Sequence, residues 1–381
     1  MRKYAVGLMS GTSLDGVDAA LVSIEGSGID TKVNLIEFCS LDISTEMRDK
    51  ILRASHPDTS DVALITSLNM ELGDLFSSAV SEVLKKSNFT DNLDFVASHG
   101  QTIYHMPKGV NGYVPSTLQI GDPSRIAYDH NTQVVFNFRA MDIVAGGDGA
   151  PLVPFSEFIL YRSVTKTRLL QNIGGIGNVT IVPKNALISD ISAFDTGPGN
   201  MMMNAAVSYY YSEEYDKDGL YASNGALIQS LFDELCTIPY LMEKPPKSTG
   251  RELFGEDFVK TICDQYMNAD DVIYTLTKFT AYTIAKSYRD FVFDHLEVDE
   301  IVLGGGGAYN PSLVEMIQSY LPEYTVLVQE DLGFSSDAKE AIAFAILGNE
   351  TLSGCPSNVP GATGAFENVV LGQIQPRPRI K

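Results

Sequence analysis

At 381 residues and 44% hydrophobic content, the chain is long enough for about two domains with substantial cores. Its formal net charge of −21 argues against nonspecific affinity for nucleic acid or an anionic membrane surface. Four cysteines with neither a CxxC pair nor a His/Cys cluster argue against a zinc site or disulfide framework and fit a reducing cytoplasm.

The chain enters a strand almost at once, without a signal-peptide pattern, and no apolar run approaches the roughly 18 residues of a membrane span. The first strand is predicted over 4–9 and the second over 17–24. The polar turn between them carries Gly11, Thr12, Ser13, Leu14, Asp15 and Gly16, and Val17 and Asp18 open the second strand. Gly11 and Gly16 permit positive φ and close backbone approach, so the turn can aim N–H groups at anionic oxygens, with the Thr12 and Ser13 hydroxyls as further donors. Asp15 and Asp18 repel phosphate but can hold a hydrated Mg2+ that binds it. A polar hairpin with no ligand is the alternative, because Gly, Asp and Ser are ordinary turn residues.

Residues 32–43 read as a third strand and 44–56 as a short helix. Residues 60–87 read as a long amphipathic helix with Ile65, Leu68, Leu72, Leu75, Phe76, Ala79 and Val83 on one face and Ser60 as its N-cap. A short buried strand at 94–97 delivers 98–105, with His99 and Gln101, at its C-terminal end, where α/β sheets gather ligands. A strand at 134–138 precedes Arg139 and Asp142, and the Gly- and Pro-rich stretch 145–154 marks the boundary between two lobes.

In the second lobe, 169–182 repeats the strand–turn–strand shape, with Gly174, Gly175, Gly177 and Asn178 at its turn. The repetition suggests a duplicated fold that presents one phosphate-facing hairpin per half. Asp195 follows an apolar run, in a glycine-bounded turn before a helix starting at Met201. A carboxylate held there can serve as a general base, or merely cap the helix. The stretch 244–252 is the most basic of this lobe. A helix follows over 270–293, capped by Asp270 or Asp271. Gly304, Gly305 and Gly306 then follow a strand and offer bare backbone to a flat group such as adenine, and Asn310 caps the next helix. The alanine-rich helix 338–347 carries Glu340 in its first turn.

Taken in order, the motifs 11–18, 98–105, 137–142, 146–154, 172–178, 194–200, 247–252, 304–311 and 339–347 resemble those of the anhydro-N-acetylmuramic acid kinase family, within the actin/hexokinase/Hsp70 ATPase superfamily. The resemblance implies an α/β, two-lobed actin-like ATPase fold, a ribonuclease H-like unit duplicated, with central mixed sheets and an ATP cleft between lobes. The lobes are expected at 1–143 plus 358–381 and at 144–357. The implied activity is that of a phosphotransferase using ATP and Mg2+. It opens 1,6-anhydro-N-acetylmuramic acid with water and phosphorylates O6, giving N-acetylmuramic acid 6-phosphate in cytoplasmic peptidoglycan recycling. A homodimer is implied, with an amino sugar as the small-molecule partner and neither nucleic acid nor membrane.

On this resemblance Asp195 is the catalytic base. ATP contacts fall on Gly11, Thr12, Ser13, Leu14, Asp15, Gly16, Val17, Asp18, Gly174, Gly175, Gly177, Asn178, Gly304, Gly305 and Gly306. Sugar contacts fall on His99, Gln101, Arg139 and Asp142, with the Arg139 guanidinium suited to a lactyl carboxylate. Asp15, Asp18 and Glu340 hold Mg2+ through water. Asn137 and Asp148 depart from the family pattern, in which Asp often precedes Phe-Arg and Gln is common in the GGxGAPL stretch. Two other readings are a nucleotide-switched structural or chaperone ATPase and an inactive sugar sensor.

Overall fold

Apolar runs such as 5–8, 19–22 and 301–303 build the central strands, which are buried on both faces. The computed structural model describes residues 2–11 and 14–379, which divide into two units, Met1–Leu160 with Ala338–Lys381, and Tyr161–Asp337. In the first unit, β1 (Lys3–Ser10), β2 (Gly16–Glu25) and β3 (Lys32–Asp42) form an antiparallel run. β1 also pairs in parallel with β4 (Phe95–Met106), which is parallel to β6 (Gln133–Phe136); β5 (Ser116–Ile120) folds back on the far end of β4. The C-terminal strand Gln373–Gln375 closes the β6 edge.

The second unit repeats this plan. β7 (Arg168–Ile173), β8 (Gly177–Val182) and β9 (Ser192–Gly197) are antiparallel, and β7 continues in parallel through β10 (Glu300–Gly304) to β11 (Thr325–Val328). Both sheets therefore run from an antiparallel three-strand meander through two further parallel strands, β3–β2–β1–β4–β6 in the first and β9–β8–β7–β10–β11 in the second, and the two hairpins read in the sequence occupy equivalent places. This is the duplicated mixed α/β fold expected. Among the described residues, no helix is long and apolar enough to cross a membrane.

The lobe boundaries differ from those expected. The helix Lys339–Ser353, assigned above to the second lobe, belongs to the first unit, as does the helix Val153–Tyr161 up to Leu160. The reason is packing. Val6 and Leu8 on one face of β1 share a core with Leu68, Leu72 and Phe76 of the helix Val62–Lys86. On the other face, Gly7 lets the helix Lys339–Ser353 lie against bare backbone, since a Cβ at position 7 would stand 1.8 Å from the Ala341 carbonyl oxygen. Ala341, Ala345 and Gly348 keep this helix slim; a Cβ on Gly348 would meet that of Ala97 at 2.7 Å. Gly7→Ala should therefore destabilise the first unit by about 1–3 kcal/mol, the usual range for overpacking. Thermal unfolding measures it, and an unchanged midpoint would contradict this packing.

Two further differences bear on function. β4 runs to Met106 because, past its parallel partners, it gains β5 as an antiparallel neighbour, so His99 and Gln101 lie within a strand. Asp195 lies inside β9, opposite Asn178 of β8, and not in a turn. Helix caps shift by a residue or so: Asp61, not Ser60, accepts from Leu64 N at 2.8 Å, and Asn268 replaces Asp270 or Asp271. Asn310 caps its helix as read, accepting from Leu313 N at 3.1 Å.

Candidate active site

Each unit carries one set of candidate groups. In the first, Thr12 and Ser13 lie outside the described residues, so the phosphate turn is seen only at its two ends. Ser10 Oγ donates to Gln101 Oε1 at 2.6 Å, and Gln101 Nε2 donates to the Gly11 carbonyl at 3.3 Å. At the other end, Leu14 adopts φ 58°, and Arg48 Nε donates to its carbonyl at 3.2 Å. Arg48 also pairs with the exposed Asp15 carboxylate at 3.3 Å. Leu14 and Val17 are core residues, 5% and 0% exposed, so their side chains are not available to ATP. Gly16 has a structural reason: a Cβ there would stand 2.7 Å from Ser40 Oγ.

Asp18, in β2, and Glu340 act on one another as like charges. Glu340 reaches solvent yet is crowded by protein, and this desolvation pushes its carboxyl up. Lys339 and Arg139 pull it down, whereas Asp18 and Glu157 push it further up. Lys339 itself forms an almost fully buried ion pair with Glu157. Asp15, held by Arg48, is not among the principal charges acting on Glu340.

Arg139 is the best placed of the predicted sugar ligands. Its Nε donates to His99 Nε2 at 3.0 Å and its Nη1 to the Gly149 carbonyl at 2.8 Å. Burial brings its pKa down to about 10, against the pull of Glu340. The other three predicted sugar ligands are buried. His99 is 3% exposed, packs on Phe344 and is held neutral, its pKa lowered to about 3 by burial and then by Arg139. Gln101, 1% exposed, ties β4 to the end of β1. Asp142 is fully buried and does not pair with Arg139. Its Oδ1 accepts from Asn358 Nδ2 and Thr363 Oγ1, each at 2.9 Å, and its Oδ2 accepts from Gly149 N at 2.8 Å, so it pins the glycine loop to the tail.

In the second unit, the Gly174–Gly177 turn is crossed by the segment after β9. Asn200 N donates to the Gly174 carbonyl at 2.8 Å and Met201 N to that of Gly175 at 3.1 Å. Gly199 must be glycine, with φ +54° and a Cβ position 2.4 Å from the Gly174 oxygen. Gly174 and Gly175 meet no such obstacle; the nearest side-chain atoms would be 3.5 Å away. Their bare backbone is left open to a ligand. At the third loop, Gly304 is packed by Gln329 and Gly305 is forced by φ +78°, whereas Gly306 is exposed and unobstructed. Gly177 is buried against Thr196, and Asn178 sits opposite both Asn172 and Asp195 in the ladder.

Asp195 is half-buried and clasped from one side. Its Oδ2 accepts from Thr249 N at 2.9 Å, its N donates to the Lys247 carbonyl at 3.1 Å, and its carbonyl accepts from Tyr240 Oη at 2.8 Å. Burial raises its carboxyl to about 6, against the Thr249 N–H and the Lys247 charge; Glu252 raises it further. A polar network behind β9 fixes the strand. Thr196 Oγ1 accepts from Gln171 Nε2 at 3.0 Å, Tyr288 Oη donates to Gln171 Oε1 at 2.8 Å, and Thr280 Oγ1 donates to the Gly199 carbonyl at 2.9 Å. A carboxylate poised near neutrality on a rigid strand has the properties of a general base. Sequence reasoning missed Tyr240, Lys247 and Thr249 as its partners, although Lys247 and Thr249 lie in the basic stretch 244–252.

The family model and the sequence relatives agree over nearly the whole length. The family model described as "Anhydro-N-acetylmuramic acid kinase" matches residues 3–377. A protein of that name from Clostridioides difficile (strain 630) is 52% identical over 378 residues, covering 98% of this chain and 99% of that one. Another, from Bacillus cereus (strain G9842), is 52% identical over 376 residues, covering 97% and 98%. Among solved structures, component A of the Acidaminococcus fermentans (R)-2-hydroxyglutaryl-CoA dehydratase aligns with 90% of this chain and 96% of its own at 13% identity, with a TM-score of 0.45.

Proposed function

The chain belongs to the anhydro-N-acetylmuramic acid kinase family, and from that membership we propose that it opens 1,6-anhydro-N-acetylmuramic acid and phosphorylates it with ATP. As a member it is an ATP-using kinase. The observation that carries the finer reading is Asp195: a carboxylate raised to about 6, anchored by the Thr249 N–H on a braced strand.

In this reading Asp195 takes a proton from water as the water oxygen bonds to the anomeric carbon. The bond from that carbon to the bridge oxygen breaks. The freed oxygen, O6, attacks the γ-phosphorus, and ADP leaves. Arg139 binds the lactyl carboxylate, with His99 holding one guanidinium edge. The open backbones of Gly174 and Gly175 receive phosphate oxygens, and Gly306 receives the adenosine. Thr12 and Ser13 remain assigned to phosphate on sequence alone.

Mg2+ fits the first unit as a water-held ion. Asp18 and Glu340 repel one another, a repulsion that a cation relieves. Held there through water by Asp18 and Glu340, such an ion would supply positive charge to the phosphates of ATP. Asp15, engaged by Arg48, is left to brace the turn. A cytoplasmic homodimer completes the proposal, carried by the family resemblance.

The test is a coupled ADP-release assay over a sugar panel. Rapid release is expected with the anhydro sugar and much less with N-acetylglucosamine or glucose. Equal turnover of glucose would overturn the proposed substrate.

A further inference from the structure

Reading Asp195 as the base leaves one buried cation without a role. Lys247 is 8% exposed. Its ammonium lies 4.5 Å from the centroid of the Tyr240 ring and 4.9 Å from that of Phe291, and it donates to the Tyr240 carbonyl at 3.3 Å. The contacts close a ring. Lys247 Nζ reaches the Tyr240 carbonyl, the Tyr240 hydroxyl reaches the Asp195 carbonyl, and the Asp195 N–H reaches the Lys247 carbonyl. Thr249 N, two residues on, holds the Asp195 carboxylate.

Drying an ammonium between two aromatic rings is costly, and an apolar side chain of the same length would fill that space without the cost. The charge itself therefore calls for a reason, and the same segment clasps one carboxylate. We propose that Lys247 is a positioning residue for sugar opening: its ammonium, held on the Tyr240 carbonyl between two rings, is a fixed positive charge behind Asp195, while the segment from Tyr240 to Thr249 fixes the direction of the carboxylate. This rests on Asp195 being the base.

The groups facing Asp195 are Lys247, Glu252 and Tyr240, and Glu252 opposes Lys247. The phenol of Tyr240 is pushed far up by burial, so it stays a donor throughout the working range. Lys247 in turn feels attraction from Glu243, Asp290 and Asp195 and repulsion from Lys286, with burial lowering its own pKa.

Lys247→Met keeps the packing and removes the charge. A neighbouring cation lowers a carboxyl by about 1–3 pH units, so the acid limb of kcat/KM should move up by about one unit. Activity on the acid limb then falls about tenfold and recovers above about pH 8. Lys247→Arg keeps the charge and should restore the wild-type limb. Lys247→Gln carries the same expectation as Met, should the Met variant not fold. Circular dichroism and ATP binding on the same samples report folding. A folded Met or Gln variant whose limb stays in place, with activity lowered equally at every pH, overturns the inference. Asp195→Asn measured alongside separates the two claims. If it is inactive and the Lys247 limb does not move, only the Lys247 inference fails; if it is active, the assignment beneath it fails too.

Discussion

Asp195→Asn should cut turnover by about 10²–10⁴-fold, the usual cost of losing a general base. Because ring opening and phosphoryl transfer are coupled in the proposed reaction, ADP formation should fall with sugar opening. The variant should fold. Asparagine has the same size, its oxygen still accepts the Thr249 N–H, and the Lys247 and Tyr240 bonds run to the backbone of residue 195. ATP binding should survive as well.

Stability gives a second sign. The folded carboxyl is raised to about 6 by burial, above its ordinary value near 4 in an unfolded chain. The folded state therefore holds that proton more tightly, and stability from this group is lost as pH rises through the interval between the two values. At neutral pH an uncharged amide escapes that cost, so the variant's melting temperature should equal or exceed that of the parent. A residue that only braced its strand would behave in the opposite way, with near-normal turnover and a lower melting temperature. Both quantities are measured on one preparation.

Arg139→Ala should raise KM for the anhydro sugar by about 30-fold or more, as when one partner of a buried, hydrogen-bonded charge pair is truncated. The structure adds a complication, because Arg139 also serves His99 and Gly149, so some stability is lost as well. The informative quantity is a ratio. If the guanidinium binds the lactyl acid, the preference for 1,6-anhydro-N-acetylmuramic acid over its N-acetylglucosamine counterpart, which lacks that acid, should collapse. A purely structural role would depress both and leave the ratio alone. Arg139→Lys should recover only part of the preference, because an ammonium does not reproduce the two-pronged grip of a guanidinium.

What was legible in the sequence was local. Apolar–turn–apolar hairpins at 4–24 and 169–182 announce themselves over about twenty residues, and their repetition exposed the duplicated sheets. The lobe boundaries were not legible, because the partner of the helix Lys339–Ser353 is β1, at the opposite end of the chain. Nor could the sequence tell a polar side chain aimed at a ligand from one satisfied inside. Gln101 and Asp142 stand in motifs near Arg139, but they spend their hydrogen bonds on the β1 end, the glycine loop and the tail. Lys247 was hidden for the converse reason: a lysine in a basic, proline-containing stretch reads as a solvated charge, whereas this one lies between two aromatic rings.

The central claim is that one water-driven event opens the bridge and phosphorylates the sugar. Quenched time courses with 1,6-anhydro-N-acetylmuramic acid and ATP, followed by proton and phosphorus NMR, measure bridge loss and ADP in the same sample. The account predicts one ADP per bridge opened, equal rate constants and N-acetylmuramic acid 6-phosphate as the sole sugar product. Opened, unphosphorylated sugar appearing ahead of ADP, or ADP formed with the bridge intact, would contradict it.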